Sequence, residues 1–191
     1  MINSLLDGKE NSILRSAKSI FSSRITGVLI ALVVISAVAA TVSPYFLSTY
    51  NLQSLTRSLS FVAIVAIAQA LVLIQGDIDL SVGAISGLSG ILAGVFMVHF
   101  SINPFLSLVL ALGMGALFGL ANGVLIAGLN LNPLVVTIGM QGVFLGVNLV
   151  ITKGAAITDI PSSIVFLGQA TVLNIPAPVI VMLIVLAIIQ I

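Results

Sequence analysis

The sequence alternates long apolar runs with short polar breaks. A transmembrane helix needs about 20 mostly apolar residues, and six stretches approach or reach that length. They predict spans at residues 25–42, 59–74, 80–98, 104–129, 133–151 and from 176 to 191. The runs are apolar nearly all round and show none of the alternation of a membrane β-barrel strand. The pattern predicts an all-α, polytopic transmembrane helical bundle of about six spans, truncated in the sixth.

Composition supports the membrane prediction and excludes other classes. Of the 191 residues, 60% are hydrophobic and 6% are charged, whereas a soluble domain has about 25% charged residues. A net charge of +1 gives no basic surface for nucleic acid. The sequence has no cysteine and one histidine, His99, which excludes thiolate and multi-histidine metal sites. We therefore predict a protein of the lipid bilayer with no metal, no cofactor and no nucleic-acid partner.

Basic residues concentrate at the N-terminus and predict the orientation. Lys9, Arg15, Lys18 and Arg24 place a tail of residues 1–24 in the cytoplasm by the positive-inside rule. Residues 25–191 then form the transmembrane domain. Alternation of the spans puts the 43–55 loop, His99 and the 152–175 segment outside, and Asp77, Asp79, Asn130 and Asn132 inside.

Two segments leave alternatives open. The first span could be a signal peptide, since residues 37–39 (AVA) resemble a cleavage site, but its 18-residue run exceeds the usual apolar region of about 7–15 residues. We therefore expect an uncleaved helix. The semi-polar 152–175 segment is either a short helix over a pore mouth or a simple connector.

Glycines recur three or four residues apart in three predicted spans. Small residues at this spacing let two helix backbones approach closely in lipid. The spacing indicates either static close packing, which we favour, or an interface that slides. The residues are Gly83, Gly87, Gly90, Gly94, Gly115, Gly119, Gly123, Gly139, Gly142 and Gly146.

Two carboxylates interrupt the apolar pattern between the second and third spans. An aspartate at the bilayer centre costs roughly 2.5–3.5 kcal/mol, so Asp77 and Asp79 must lie at an interface or face a polar cavity. In one continuous helix their side chains would point about 200° apart. We predict a break at Gly76, with Asp79 or Ser81 capping the third span. The alternatives are a simple cap at the membrane interface and a broken helix that lines a translocation path.

Three enzyme hypotheses fail on geometry or on missing motifs. Residues 87–90 (GLSG) match the pattern of rhomboid proteases, but His99 would lie about 15 Å away along the same helix, too far to activate Ser89. Asp77 and Asp79 share one segment, whereas intramembrane aspartyl proteases need aspartates from separate spans. The sequence also has no P-loop for ATP. We predict that the protein is not an enzyme.

Motif-like segments lie at the predicted breaks. They are residues 43–47 (SPYFL), 51–52 (NL), 76–83 (GDIDLSVG), 121–126 (ANGVLI), 132–140 (NPLVVTIGM) and 175–179 (IPAPV). These segments, with Gly142, Gly146 and Thr152, resemble the permease subunits of ribose-type bacterial ABC importers, whose GIDLSVG-like signature follows their second span. The resemblance covers residues 43–191, about four-fifths of the chain, and is to the N-terminal part of those permeases only.

The resemblance implies a function and partners. Such permeases carry simple sugars or related polyols across the bacterial inner membrane. They work with a cytoplasmic ATP-binding subunit, a periplasmic sugar-binding protein and a second permease subunit, identical or different. In this chain, the resemblance assigns the family's signature positions to Gly76, Asp77, Asp79, Ser81 and Gly83.

The sequence also departs from the family pattern. Position 77 is often glycine or glutamate, so Asp77 resembles a tolerated variant. Leu145 stands where many relatives have arginine. Relatives have about ten spans and a GRxxxAxGGN stretch thought to dock the ATPase, and this sequence has neither. The transmembrane permease domain at residues 25–191 is therefore expected to be incomplete.

Neutral sugars need hydroxyl-matching side chains rather than charges. Candidates for the path are Gln69, Asn122, Asn132, Thr137, Gln141 and Asn148, although each could be an ordinary interhelical hydrogen bond. Two alternatives stay open. One is an ion-coupled secondary transporter that uses Asp77 and Asp79, and the other is a non-transporting membrane fragment or assembly partner.

Overall fold

A computed structural model describes residues 24–190 of the chain. It divides into two compact units, residues 1–52 and 53–191. The predicted cytoplasmic tail lies outside the described residues except for its last position. The elements in chain order are α1 (Arg24–Val42), α2 (Thr49–Ile74), α3 (Val82–Val98), α4 (Pro104–Gly123), a π-helical turn (Val124–Gly128), α5 (Pro133–Thr152), α6 (Ser162–Gln169), β1 (Thr171–Val172), β2 (Ile175–Pro176) and α7 (Ala177–Ile189).

In the first unit, the connection between the first two helices is shorter than predicted. A loop over residues 43–55 was expected, but α2 already begins at Thr49, so that prediction is wrong. The hydroxyl oxygen of Ser48 accepts a hydrogen bond from the Asn51 N–H at 3.3 Å, and the Asn51 amide donates to Phe46 O at 2.7 Å. This N-terminal cap starts the helix within a polar stretch, before the apolar run begins.

In the second unit, α3 packs against both α4 and α5. Leu88 of α3 is 1% exposed and forms a buried cluster with Ala84 and Phe144. The Phe144 ring lies 5.0 Å from the Phe118 ring, centroid to centroid, at a separation favourable for aromatic pairs. The core is thus a three-helix contact centred on α3.

Helix lengths support a multi-pass membrane protein. Three described helices are long and apolar enough to cross a bilayer, namely Thr49–Ile74, Pro104–Gly128 and Pro133–Thr152. Three shorter apolar helices cover Thr26–Val42, Val82–Val98 and Ala177–Ile189. The all-α helical bundle is therefore confirmed, and the only strands among residues 24–190 form one two-residue antiparallel pair.

Close packing at glycine is confined to two of the predicted positions. A Cβ at Gly115 would lie 2.9 Å from the Ser89 hydroxyl, and one at Gly94 would lie 3.3 Å from the Ile157 side chain. The other predicted glycines, such as Gly83 and Gly87, have nothing within 4 Å among the described residues. The α3–α4 contact therefore uses a single close approach rather than a continuous stripe.

The segment after α5 has structure of its own. It contains α6 and the β1–β2 pair, so it is more than a simple connector. Ile160 and Ile164 pack against the buried cluster of Ala93, Met97 and Ala111. The guanidinium of Arg57 on α2 also donates to Gln169 O at 3.0 Å, which ties the end of α6 to α2.

Candidate functional site

The polypeptide leaves helical geometry between α2 and α3. The N–H groups of Gln75 and Gly76 donate to Val72 O and Leu73 O, at 3.1 and 3.0 Å. Gly76 has φ +89°, a left-handed conformation that costs glycine little. Residues 77–81 then run without helix until α3 begins at Val82. We call residues 75–81 the break segment.

A chain of hydrogen bonds joins the break segment to α4. Asp79 Oδ1 accepts from the Ser81 N–H at 2.7 Å and from the Ser81 hydroxyl at 2.6 Å. The Ser81 hydroxyl oxygen in turn accepts from Asn122 Nδ2 at 2.7 Å. Because an ionised carboxylate only accepts, the serine must donate to Asp79 and accept from Asn122. The carboxylate therefore sets the direction of the whole chain.

The N-cap residue of α3 does not cap the helix with its own side chain. Ser81 occupies the N-cap position, yet its side chain makes no capping hydrogen bond to the helix. The Asp79 carboxylate instead binds the N–H of Ser81 itself. The negative charge lies beside the positive end of the helix dipole, a favourable arrangement.

Two further side chains satisfy the backbone of the break segment. The Thr137 hydroxyl on α5 lies 3.5 Å from Ile78 O and 3.4 Å from Leu134 O of its own helix, so it shares its proton between the two. The Gln69 amide on α2, oriented to satisfy both groups, donates to Asp79 O at 2.9 Å and accepts from the Asp79 N–H at 3.3 Å. Side chains from α2 and α5 thus meet the backbone of the break segment, and Asn122 of α4 meets its Ser81 side chain.

The side chains that contact the break segment lie well inside their helices rather than at the helix ends. Gln69 and Thr137 lie four or five residues from the nearest helix ends, and Asn122 lies six residues before the π-helical turn ends. At 1.5 Å per residue this is about 6–9 Å along each helix. Inside a membrane, irregular backbone is tolerated only where protein satisfies it or where it lines a cavity.

A cavity of about 300 Å³ lies beside the break segment. Its polar lining comes from Gln75, Asp77, Asp79, Asn122 and Thr137. Asn122 is 3% exposed, and its Oδ1 has no hydrogen-bond partner among the residues that the structure describes. The site therefore offers carboxylate and amide acceptors together, a set suited to a hydroxyl-bearing ligand.

The structure brings together most but not all of the residues predicted from sequence. Gln69, Asp77, Asp79, Ser81, Asn122 and Thr137 meet at the break, next to Gly76. Gly83 contributes to a shallow apolar groove with Gln69 and Asp79.

Three predicted path residues lie apart from this cavity. Asn132 is exposed and caps α5, with its Oδ1 accepting from Leu134 N at 3.0 Å and Val135 N at 3.3 Å. Gln141 and Asn148 are half-buried further along α5, and Asn148 Oδ1 has no partner in the described part of the chain. Conversely, Gln75 lines the cavity and was not predicted, although its position just before Gly76 was a signal.

Comparison with known proteins places the chain among transport permeases. Residues 51–191 match the family described as "branched-chain amino acid transport system / permease component". The chain is 35% identical over 144 residues to the fructose import permease protein of Rhizobium meliloti, covering 74% of this chain and 40% of the relative.

Two further relatives have similar sequence identity to this chain. The D-allose transport system permease protein of Escherichia coli is 32% identical over 161 residues, covering 83% of this chain and 49% of the relative. The ribose import permease protein of the same species is 33% identical over 158 residues, covering 81% and 49%. The chain thus spans at most about half the length of these curated relatives. No solved structure matches it.

Proposed function

This chain belongs to the branched-chain amino acid transport system / permease component family, and we propose that it is a membrane-spanning permease subunit of an ABC-type importer for a simple sugar or small polyol. The resemblance drawn from the motifs is confirmed by the family match and by the relatives. Sugar as the substrate class is supported by the relatives, which are named as fructose, allose and ribose permeases. The chain is a transport component and not an enzyme.

The proposal includes partners and a location. A separate cytoplasmic ATPase drives transport, a periplasmic binding protein delivers the sugar, and a second permease subunit, identical or different, completes the pathway. The protein lies in the bacterial inner membrane with residues 1–24 in the cytoplasm. Residues 25–191 supply about six spans, of which three are long enough in the structure to cross on length and composition.

The break segment carries the mechanistic part of the proposal. The break segment joins the second and third spans, and the angle between α2 and α3 can change there because its residues are not fixed in a helix. ATP binding in the partner rocks the permease subunits, and α2 and α3 pivot at Gly76 and residues 77–81. The hydrogen bonds of Gln69, Asn122 and Thr137 define one of the two arrangements.

The cavity beside the break fits an uncharged substrate. The unpartnered Oδ1 of Asn122 and the carboxylates of Asp77 and Asp79 accept hydrogen bonds from sugar hydroxyls. Few other ionisable groups occur in the spans, so a sugar crosses without an uncompensated charge. Gln141 and Asn148 on α5 would continue this polar path.

Uptake of radiolabelled ribose, fructose and allose tests the proposal. The chain is expressed with the ATPase and binding protein of its system in a strain lacking its own sugar permeases. We expect uptake that requires ATP hydrolysis and survives an uncoupler that collapses ion gradients. Uptake that survives loss of the ATPase but not the uncoupler would establish an ion-coupled secondary transporter. Uptake of leucine but of no sugar would establish an amino-acid permease.

An outcome without transport is also informative. If the chain shows no uptake yet co-purifies with an intact permease, it is an assembly partner, and Asp79→Ala should then change only expression. That result would contradict the proposed transport role.

A further inference from the structure

A second cavity lies at the opposite end of α3 from the break segment. Its volume is about 410 Å³, within the range of roughly 300–1,000 Å³ found for small-molecule pockets. It is formed by the end of α3, the end of α5 and the loop over residues 155–159. The 17 residues of α3 separate it from the break by about 25 Å. It is therefore a distinct place in the molecule.

The lining of this cavity combines groups of opposite charge with neutral polar groups. His99, Thr152, Lys153, Thr158 and Asp159 all contribute. The Thr158 hydroxyl donates to Asp159 Oδ2 at 3.0 Å, which leaves Asp159 Oδ1 available as an acceptor. Lys153 supplies up to three donors. One positive and one negative side chain balance each other, so the cavity favours neither an anion nor a cation.

Backbone conformation at both charged residues is unusual. Lys153 has φ +54° and Asp159 has φ +64°. Residues other than glycine adopt this left-handed region only occasionally, and Lys153 does so as the C-cap that ends α5.

The loop that carries Asp159 is anchored on α3. A Cβ at Gly94 would lie 3.3 Å from Ile157 Cγ2 and 3.4 Å from Ile160 Cδ1, so the two isoleucines sit in the notch that this glycine leaves. Ile160 also packs on the buried Ala93–Met97–Ala111 cluster. The loop is thereby held in place, and the cavity exists before any ligand arrives.

From these contacts we propose that this cavity binds a neutral, polyhydroxylated molecule of monosaccharide size. A sugar presents hydroxyls that both donate and accept, so it can use the carboxylate, the ammonium, the imidazole and the threonines at once. A zwitterionic amino acid would use the two charges and leave the neutral groups unmatched. The proposal rests on the proposed function and names a second sugar site, apart from the cavity beside the break segment.

Direct binding measurements test this site. Saturation-transfer NMR of ribose, fructose and allose is recorded with the complete chain in nanodiscs, without ATPase or binding protein. Asp159→Asn and Lys153→Gln each remove one charged partner of the ligand, and we expect each to weaken binding about tenfold or more. Both positions are exposed, so we expect both variants to fold.

A matched pair of glycine variants tests whether packing of the 155–159 loop on α3 shapes the cavity. Gly94→Ala requires the Ile157 side chain to shift by a few tenths of an ångström, whereas Gly87→Ala on the same helix has nothing within 4 Å. We expect sugar binding to weaken in Gly94→Ala and to stay unchanged in Gly87→Ala. Equal binding by the two variants would show that the anchored loop does not shape the site.

Three other outcomes would overturn the proposal. The first is that the wild-type chain binds none of the three sugars, and the second is that both charge variants bind them unchanged. The third is that leucine alone binds, and does so through Lys153 and Asp159. Because no partner subunit is present, failure of binding leaves the uptake assay to decide the proposed function separately.

Discussion

At the residue scale, Asp79 organises the break. Its Oδ1 holds both the N–H and the hydroxyl of Ser81, and Ser81 in turn accepts from Asn122. Sequence reasoning predicted a cap at this position from the cost of a carboxylate in an apolar run. It could not identify Asn122 as the partner, because 41 residues separate it from Ser81 and the pairing depends on how α3 packs against α4.

Substitution of Asp79 separates its acceptor role from its charge. Asp79→Asn keeps an oxygen that can accept both hydrogen bonds from Ser81, so we expect a loss of about 1 kcal/mol or less in the free energy of unfolding. Asp79→Ala removes the acceptor, and hydrogen bonds to a charged group are worth about 1.5–3 kcal/mol. Unfolding in detergent by SDS titration measures both. Equal losses for the two variants would show that the bonds to Ser81 contribute nothing.

At the element scale, the contact between α3 and α4 includes one close approach at a glycine. A Cβ at Gly115 would lie 2.9 Å from Ser89 Oγ and 3.9 Å from Ser89 Cβ. The clash is therefore with the hydroxyl alone, and that buried hydroxyl has no hydrogen-bond partner among residues 24–190. The serine can relieve the clash by rotating.

This geometry predicts that a second substitution, at Ser89, restores the stability lost by a substitution at Gly115. We expect Gly115→Ala to lower the unfolding free energy by about 1 kcal/mol, at the low end of the cost of overpacking. Adding Ser89→Ala should restore stability, because the remaining Cβ separation of 3.9 Å is an ordinary contact. Gly113→Ala, which has nothing within 4 Å, is the control. Thermal unfolding in detergent followed by circular dichroism measures the wild-type chain and the three variants, and a double variant less stable than Gly115→Ala would contradict the contact.

The sequence predicted some helix starts correctly and missed another. The starts of α4 and α5 agree with the predicted boundaries because Asn103 and Asn132 each cap a helix that begins with proline. The start of α2 was missed since a hydropathy pattern cannot show that Ser48 caps a helix inside a polar stretch. Asn132 was predicted to line the path and instead caps α5, because a polar residue at a break serves either role and only the backbone geometry separates them.

At the scale of the whole molecule, the orientation in the membrane is a prediction from the basic N-terminal tail. It places the connection between α4 and α5 in the cytoplasm and the segment after α5 outside. Leu131 and Thr171 are exposed in these two places. The absence of cysteine from the sequence makes single-cysteine labelling free of background.

Labelling of intact cells tests the orientation. We expect Thr171→Cys to react with a membrane-impermeant maleimide added outside. Leu131→Cys should react only after the membrane is permeabilised, because a transmembrane α5 separates the two positions. The reverse pattern would invert the orientation, and reaction of both from outside would show that α5 does not cross the bilayer.

Side chains from three helices contact the break segment, and its amides should therefore exchange slowly with solvent. Hydrogen–deuterium exchange of the chain in nanodiscs, read by mass spectrometry, measures this. Five amides of residues 75–81 make hydrogen bonds to Val72, Leu73, Gln69 or Asp79. We predict exchange at least about ten times slower than in residues 129–132, and faster exchange in Asn122→Ala. Equally rapid exchange in both segments of the wild-type chain would show that residues 75–81 form an ordinary aqueous loop and are not held by the neighbouring side chains.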